Sequence, residues 1–201
     1  MSTPSLPNGE RGFTVIEVLV AVALSGLILG NVLTVLADTR ERMAIQEVAK
    51  DVDAEARRSL DRIAVQIMGA VRQQLYTQVS APLSADSITY TSVVGVQNGE
   101  PVISPLQRIA MTTEPTSSVS WYQNPGDAQE KHIIWTRDLR SYCQGEVPNG
   151  VDDNHNGLVD EKGLSFEVDG PMVRITLTIE RPGPDGKPVV KALETRVTCR
   201  N

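Results

Sequence analysis

The chain has 201 residues, 40% of them hydrophobic and 22% charged, with a formal net charge of -6. That is room for one modest domain and an anchor, and no Lys/Arg-rich block is present to follow a nucleic-acid backbone, so no nucleic acid is expected as a partner. Aromatic residues make up only 4%, which leaves a core built from Val, Ile, Leu and Ala.

Residues 1–12, MSTPSLPNGERG, are polar and carry two prolines. At Phe13 the character changes, and FTVIEVLVAVALSGLILGNVLTVLA runs on to Ala37. This is long enough to span a hydrocarbon core of about 30 Å, which takes about 20 residues. Asp38, Arg40, Glu41 and Arg42 follow and mark the water boundary. An ordinary secretory signal has a basic start, a shorter apolar stretch and a small-residue cleavage site behind it; here the apolar run is too long and no such site follows it. Glu17 stands inside the apolar run. A carboxylate in such a place is costly, reads as functional by default and calls for a partner.

Gly12-Phe13-Thr14-Val15-Ile16-Glu17 resembles the cleavage and methylation motif of type IV prepilins. The resemblance implies that residues 1–12 are a leader, that a dedicated prepilin peptidase cuts after Gly12, and that the new N-terminal Phe13 is methylated. It implies that Glu17 pairs with the N-terminal amine of a neighbouring subunit during assembly. The expected location is then a single pass of the inner membrane with the globular part in the periplasm, followed by a filament at the cell surface. The expected partners are the peptidase, other minor and major pilins, and a tip adhesin.

Beyond Ala37 the apolar residues thin out but keep helical spacing. Ile45, Val48, Val52, Ala56, Leu60, Ile63, Ile67, Val71 and Leu75 form one stripe among charged neighbours. No proline interrupts from Phe13 to Pro82, so one helix is expected from near Phe13 to near Leu75, about 90 Å at 1.5 Å per residue. Its parts are a transmembrane and assembly segment over 13–37 and a periplasmic continuation over 38–78, with a β-rich domain over 79–201.

After Pro82 the helical period disappears. Ser87–Val94, Ile103–Met111, Val119–Tyr122 and His132–Thr136 are short strand candidates, the second weakened by Pro105. The clearest strands come last. Leu164–Asp169 turns through Gly170-Pro171 into Met172–Glu180, where Val173, Ile175, Leu177 and Ile179 share one face. RPGPDGKP is a turn, and Val189–Cys199 closes the domain. The expected fold class is α+β: one long N-terminal helix packed on a C-terminal antiparallel sheet, the pilin-like arrangement. The ending TRVTCRN resembles the close of minor pilins and pseudopilins of the PilW and GspJ type.

Residues 149–161 read NGVDDNHNGLVDE. Asp152, Asn154, Asn156 and Gly157 fit the D-x-[DN]-x-[DN]-G frame of calcium loops. Side chains at alternate positions of a tight loop converge, glycine permits the turn, and the next residue offers a carbonyl. The expected calcium ligands are Asp152, Asn154, Asn156, the Leu158 carbonyl, and Asp160 and Glu161. An EF-hand is excluded because its twelfth position is Gly163. The alternative is a plain surface turn, for which Asn, Asp and Gly suffice.

The two cysteines, Cys143 and Cys199, are in no CxxC or zinc spacing. They are either unrelated buried thiols or one disulfide. Export to an oxidising space, as the resemblance implies, favours a Cys143–Cys199 bridge. No nucleophile with its base, phosphate loop or paired-carboxylate frame is present, so an enzyme is not expected. The leading functional expectation is a minor pilin, a structural subunit in assembly priming and the tip complex. The alternatives are a pseudopilin of a type II secretion system and a calcium-dependent adhesion module at the tip.

Overall fold

The computed structural model describes residues 14–77 and 82–199. By chain contacts it forms two compact units, one up to Ala44 and one from Ile45 onward. A single helix, α1 (Val15–Met68), contributes to both.

In the first unit the apolar side chains of α1 from Val15 to Leu36 are all exposed. An 18-residue window there has mean hydropathy 2.3 with nothing buried, so the helix is long and apolar enough to cross a membrane. Thr14 and Glu17 start it. The Glu17 carboxylate accepts the Thr14 amide at 2.9 Å and the Thr14 hydroxyl at 3.0 Å, and the Glu17 amide donates to the Thr14 hydroxyl at 3.3 Å. This reciprocal pair is a capping box, which satisfies amides that the first helical turn leaves without partners.

In the second unit the stripe becomes an interior face. Val52, Ala56, Leu60, Ile63, Ala64 and Ile67 are buried, as their spacing predicts. The helix stops at Met68, short of Leu75. The cause is competition from the sheets: Ala70 bridges Ser92, and the Val71 amide donates to Thr91 O at 2.8 Å. A 3-10 turn, Arg72–Gln74, follows, and Leu75 still packs against the core.

Among the described residues nine strands complete the unit: β1 (Ser87–Tyr90), β2 (Val93–Gln97), β3 (Glu100–Ile103), β4 (Gln107–Thr112), β5 (Ser118–Gln123), β6 (Lys131–Thr136), β7 (Leu164–Asp169), β8 (Met172–Pro182) and β9 (Pro188–Thr198). They form antiparallel sheets in the orders β1-β4-β5-β6, β2-β3 and β7-β8-β9. The expected strand Ser87–Val94 is thus split. β1 and β2 enter different sheets, and Pro105 falls between β3 and β4 rather than within a strand. β7, β8 and β9 lie close to the expected bounds.

One core joins α1 to the two larger sheets. It includes Ile88, Tyr90, Ile109 and Val119 from one sheet and Phe166, Val173, Ile175, Leu177 and Ile179 from the other. Two polar links fix the helix against them. Tyr90 Oη donates to Gln66 Oε1 at 3.3 Å, and Lys191 Nζ meets Asp53 Oδ1 at 3.0 Å. The opposite face of β8 is not open to water as its threonines suggest: Thr176 and Thr178 are buried too. The segment 138–143 lies along β8, with the Arg140 amide on Thr178 O at 2.9 Å and Leu139 bridging Ile179. The residues between β6 and β7 therefore form a layer packed against the sheet.

Candidate functional site

Two places carry the chemistry read from the sequence. The first is the N-terminal segment. Gly12 and Phe13 lie outside the described residues. Glu17 is exposed on the first turn of α1, held by Thr14 as described. The signal for that cap, Thr-x-x-Glu ahead of an apolar run, is present in the sequence and was masked by the more specific motif around it.

The second is the loop between β6 and β7. Gly157 has φ +91°, the conformation the frame requires of its glycine. The Asp152 carboxylate accepts the Asn156 amide at 3.1 Å and the Gly157 amide at 2.8 Å. Burial pushes this carboxyl up, but the amides of Gly157, Asn156 and His155 outweigh it and hold its pKa below the usual value. Asn154 Oδ1 accepts the Asn156 amide at 3.0 Å, and Asn156 Oδ1 accepts the Leu158 amide at 2.9 Å. Each frame side chain therefore turns inward over the loop backbone. Leu158 anchors the loop by burying its side chain, and the Val159 amide donates to Pro82 O at 2.9 Å.

Glu161 lies beneath this turn, fully buried. Its carboxylate accepts Asn156 Nδ2 at 2.7 Å and Asn154 Nδ2 at 3.3 Å. Burial raises its pKa; Asn156, Asn154 and Arg174 pull the other way, while the charge of Glu146 adds to the rise. The structure thus links Asp152, Asn154, Asn156 and Glu161 within one turn. It does not bring Asp160 to them. The Asp160 carboxylate accepts the Asn149 and Gly150 amides, each at 3.0 Å, and closes the preceding turn instead. His155 is exposed, its ring nitrogen 3.2 Å from Asp153 O.

Glu146 was not singled out in the sequence. It is 5% exposed, and its Oε1 accepts the Asn154 amide at 3.0 Å. It precedes the Asp/Asn frame, which is counted forward from Asp152, so no motif marks it. Among the described residues no three Asp, Glu, His or Cys side chains are gathered at metal-binding spacing; the donors that do meet are carboxylates with amides.

The expected Cys143–Cys199 disulfide is corrected by the fold. Both cysteines are free and buried. Cys143 Sγ accepts the Thr178 hydroxyl at 3.6 Å, whereas the Cys199 amide donates to Pro171 O at 3.0 Å, beside Met172. Six residue steps along β8 separate Met172 from Thr178, about 20 Å at about 3.3 Å per step. A disulfide requires Cα atoms about 4.4–6.8 Å apart. The cysteines also serve different layers: Cys199 belongs to the core against α1, and Cys143 lies against the buried threonine face.

Residues 7–30 fit the family model described as the prokaryotic N-terminal methylation motif. No curated protein and no solved structure gives a match. The chain is type IV prepilin-like at its N-terminus, and that motif implies processing by prepilin peptidase and association with other pilins.

Proposed function

We propose that this chain is a minor pilin, a structural and non-catalytic subunit that primes assembly of a type IV pilus and resides in its tip complex. The observation that carries the reading is the division of labour along α1. Its first stretch exposes an unbroken apolar surface behind the methylation motif, and its last stretch is committed to a folded unit. An apolar helix of that kind has two solvents open to it, a bilayer before assembly and the packed helices of other subunits afterwards. The minor role is supported by the long layer between β6 and β7 and by the C-terminal strand ending. Such elaboration suits a few copies at a tip better than a shaft of close-packed repeats.

The test is made in the cells that produce the chain. An epitope-tagged copy is expected in the sheared surface-filament fraction, far below the major subunit in amount, and deletion of its gene is expected to reduce filament number. Loss of exported enzymes with surface filaments intact would instead identify a type II secretion pseudopilin. Copy number equal to the major subunit would overturn the minor role.

A further inference from the structure

The loop between β6 and β7 buries two glutamates that no ion pair among the described residues reaches. Both Glu161 oxygens are met by neutral amide groups alone. Glu146 gives one oxygen to the Asn154 amide, and its other oxygen, Oε2, is buried with no hydrogen-bond partner. Among the described residues neither glutamate is in an ion pair. Arg174 is the cation near Glu161; its guanidinium pairs with Glu167 at 2.5 Å and donates to Asn156 O at 3.4 Å, its buried Nε has no partner, and it pairs with neither glutamate. Buried polar atoms are almost always satisfied, and a buried carboxylate without a cation is costly. Glu146 holds the Asn154 amide with one oxygen and leaves the other buried and orphaned, which points to a missing positive charge.

We propose that residues 146–161 bind one calcium ion between Glu146 and Glu161, with oxygens of Asp152, Asn154 and Asn156 and the Leu158 carbonyl completing the shell. The donor set is all oxygen and includes three carboxylates, two amides and one carbonyl, which suits a hard cation taking six to eight ligands. Magnesium demands near-ideal octahedral geometry and gives up its waters reluctantly, so a flexible shell of bulky donors selects calcium. Zinc and copper prefer nitrogen or sulfur. The nearest imidazole, His155, is exposed. The frame oxygens that accept backbone amides each keep a second lone pair for the ion. Asp160 is left out of the shell, because its carboxylate takes three amide contacts from Asn149 and Gly150 and closes the turn before the Asp/Asn frame. Ion capture draws Asp152 toward the two glutamates and ties the loop to the sheet through Gly163, whose carbonyl accepts the Thr178 amide at 2.7 Å. A calcium-rich extracellular space thereby rigidifies one surface of the folded unit, by mass action on the native state.

The test is calcium titration by calorimetry of the full chain in detergent, stripped with chelator, alongside thermal melting. One ion per chain and a raised melting temperature are expected. Glu146→Gln and Glu161→Gln are expected to weaken binding by about tenfold or more, the scale of losing a ligand or its support. Asp160→Asn is expected to bind as the unaltered chain does. Glutamine keeps the shape and an acceptor oxygen, so Glu146→Gln is also expected to melt higher than the unaltered chain when both are free of metal. That gain distinguishes lost binding from lost folding. No heat and no melting shift in the folded chain at about 5 mM calcium, above the range of extracellular modules, would overturn the site. So would full binding by Glu146→Gln, or equal competition by magnesium.

Discussion

Thr14 and Glu17 hold each other across the first turn of α1, the Thr14 amide on the Glu17 carboxylate at 2.9 Å and the Glu17 amide on the Thr14 hydroxyl at 3.3 Å. The same glutamate is therefore a helix cap within the chain and, on the proposed function, a charge offered to a neighbouring subunit. Glutamine serves in a capping box as well as glutamate does. Glu17→Gln keeps the cap and removes the charge, while Glu17→Ala removes both. Both variants are expected to be cleaved by the peptidase and to fall by about tenfold or more in sheared filaments, as loss of one member of a buried charge pair implies. Immunoblotting of the filament fraction checks this, and normal incorporation of Glu17→Gln would reduce Glu17 to a cap.

The buried thiols make a chemical prediction. Two maleimide labels per chain are expected in denaturant without reductant, by intact mass. In the folded protein labelling is expected to be slow, because burial pushes both thiols up in pKa, opposed at Cys143 by the Thr178 hydrogen bond and at Cys199 by Arg72. The sign of the linkage follows. A folded pKa above the ordinary value of 9.0 means that the contribution to stability is complete below that value and fades as pH rises through the folded pKa. Cys143→Ala is therefore expected to soften the loss of stability above about pH 9, seen in urea midpoints across pH.

Gly163 and Gly157 separate two reasons for glycine. A Cβ on Gly163 would lie 1.8 Å from Arg140 O, in the seam where the 138–143 segment meets the start of β7. One on Gly157 meets nothing within 4 Å but stands at φ +91°. Gly157→Ala is expected to cost about 1–2 kcal/mol, the strain of a left-handed residue. Gly163→Ala is expected to cost about 3 kcal/mol, the upper part of the overpacking range, because backbone must move. Denaturant unfolding without calcium measures both, and a Gly163→Ala cost below that of Gly157→Ala would contradict the packed seam.

What was legible in the sequence was whatever carried its own period. The 3.6-residue stripe from Val52 to Ile67 and the alternation Val173, Ile175, Leu177, Ile179 both became core faces. The end of α1 was not legible, because Val71 and Leu75 continue the stripe while the backbone after Met68 is claimed by Ser92 and Thr91. The β2-β3 hairpin was missed although Asn98-Gly99 announces it, with φ of 54° and 85° at its two residues. At the loop, Asp152, Asn154, Asn156 and Glu161 were found by spacing. Glu146 was invisible, and the turn that Asp160 closes on Asn149 and Gly150 was not foreseen, because burial and turn closure depend on distant chain. The cysteines failed for the same reason: compartment speaks to whether a bridge survives, and only the fold decides whether two sulfurs meet.

The two parts of α1 differ in what their side chains do for the folded unit. Among the described residues every buried core residue lies at Val52 or beyond, so a chain beginning at Ile45 is expected to fold alone and to unfold cooperatively in urea. Within it Ile63, fully buried at the centre of the helix face, carries the packing. Ile63→Ala is expected to cost about 2–5 kcal/mol, the range for a large side chain removed from a core. Leu27, 66% exposed, has no such role, and Leu27→Ala in the full chain is expected to leave the urea midpoint of the folded unit unchanged. Its effect belongs to membrane and filament, where apolar surface is matched to other apolar surface, and filament yield would report it. An Ile45 chain that fails to fold, or a midpoint shift from Leu27→Ala, would show that the apolar stretch supports the globular core as well as the assembly.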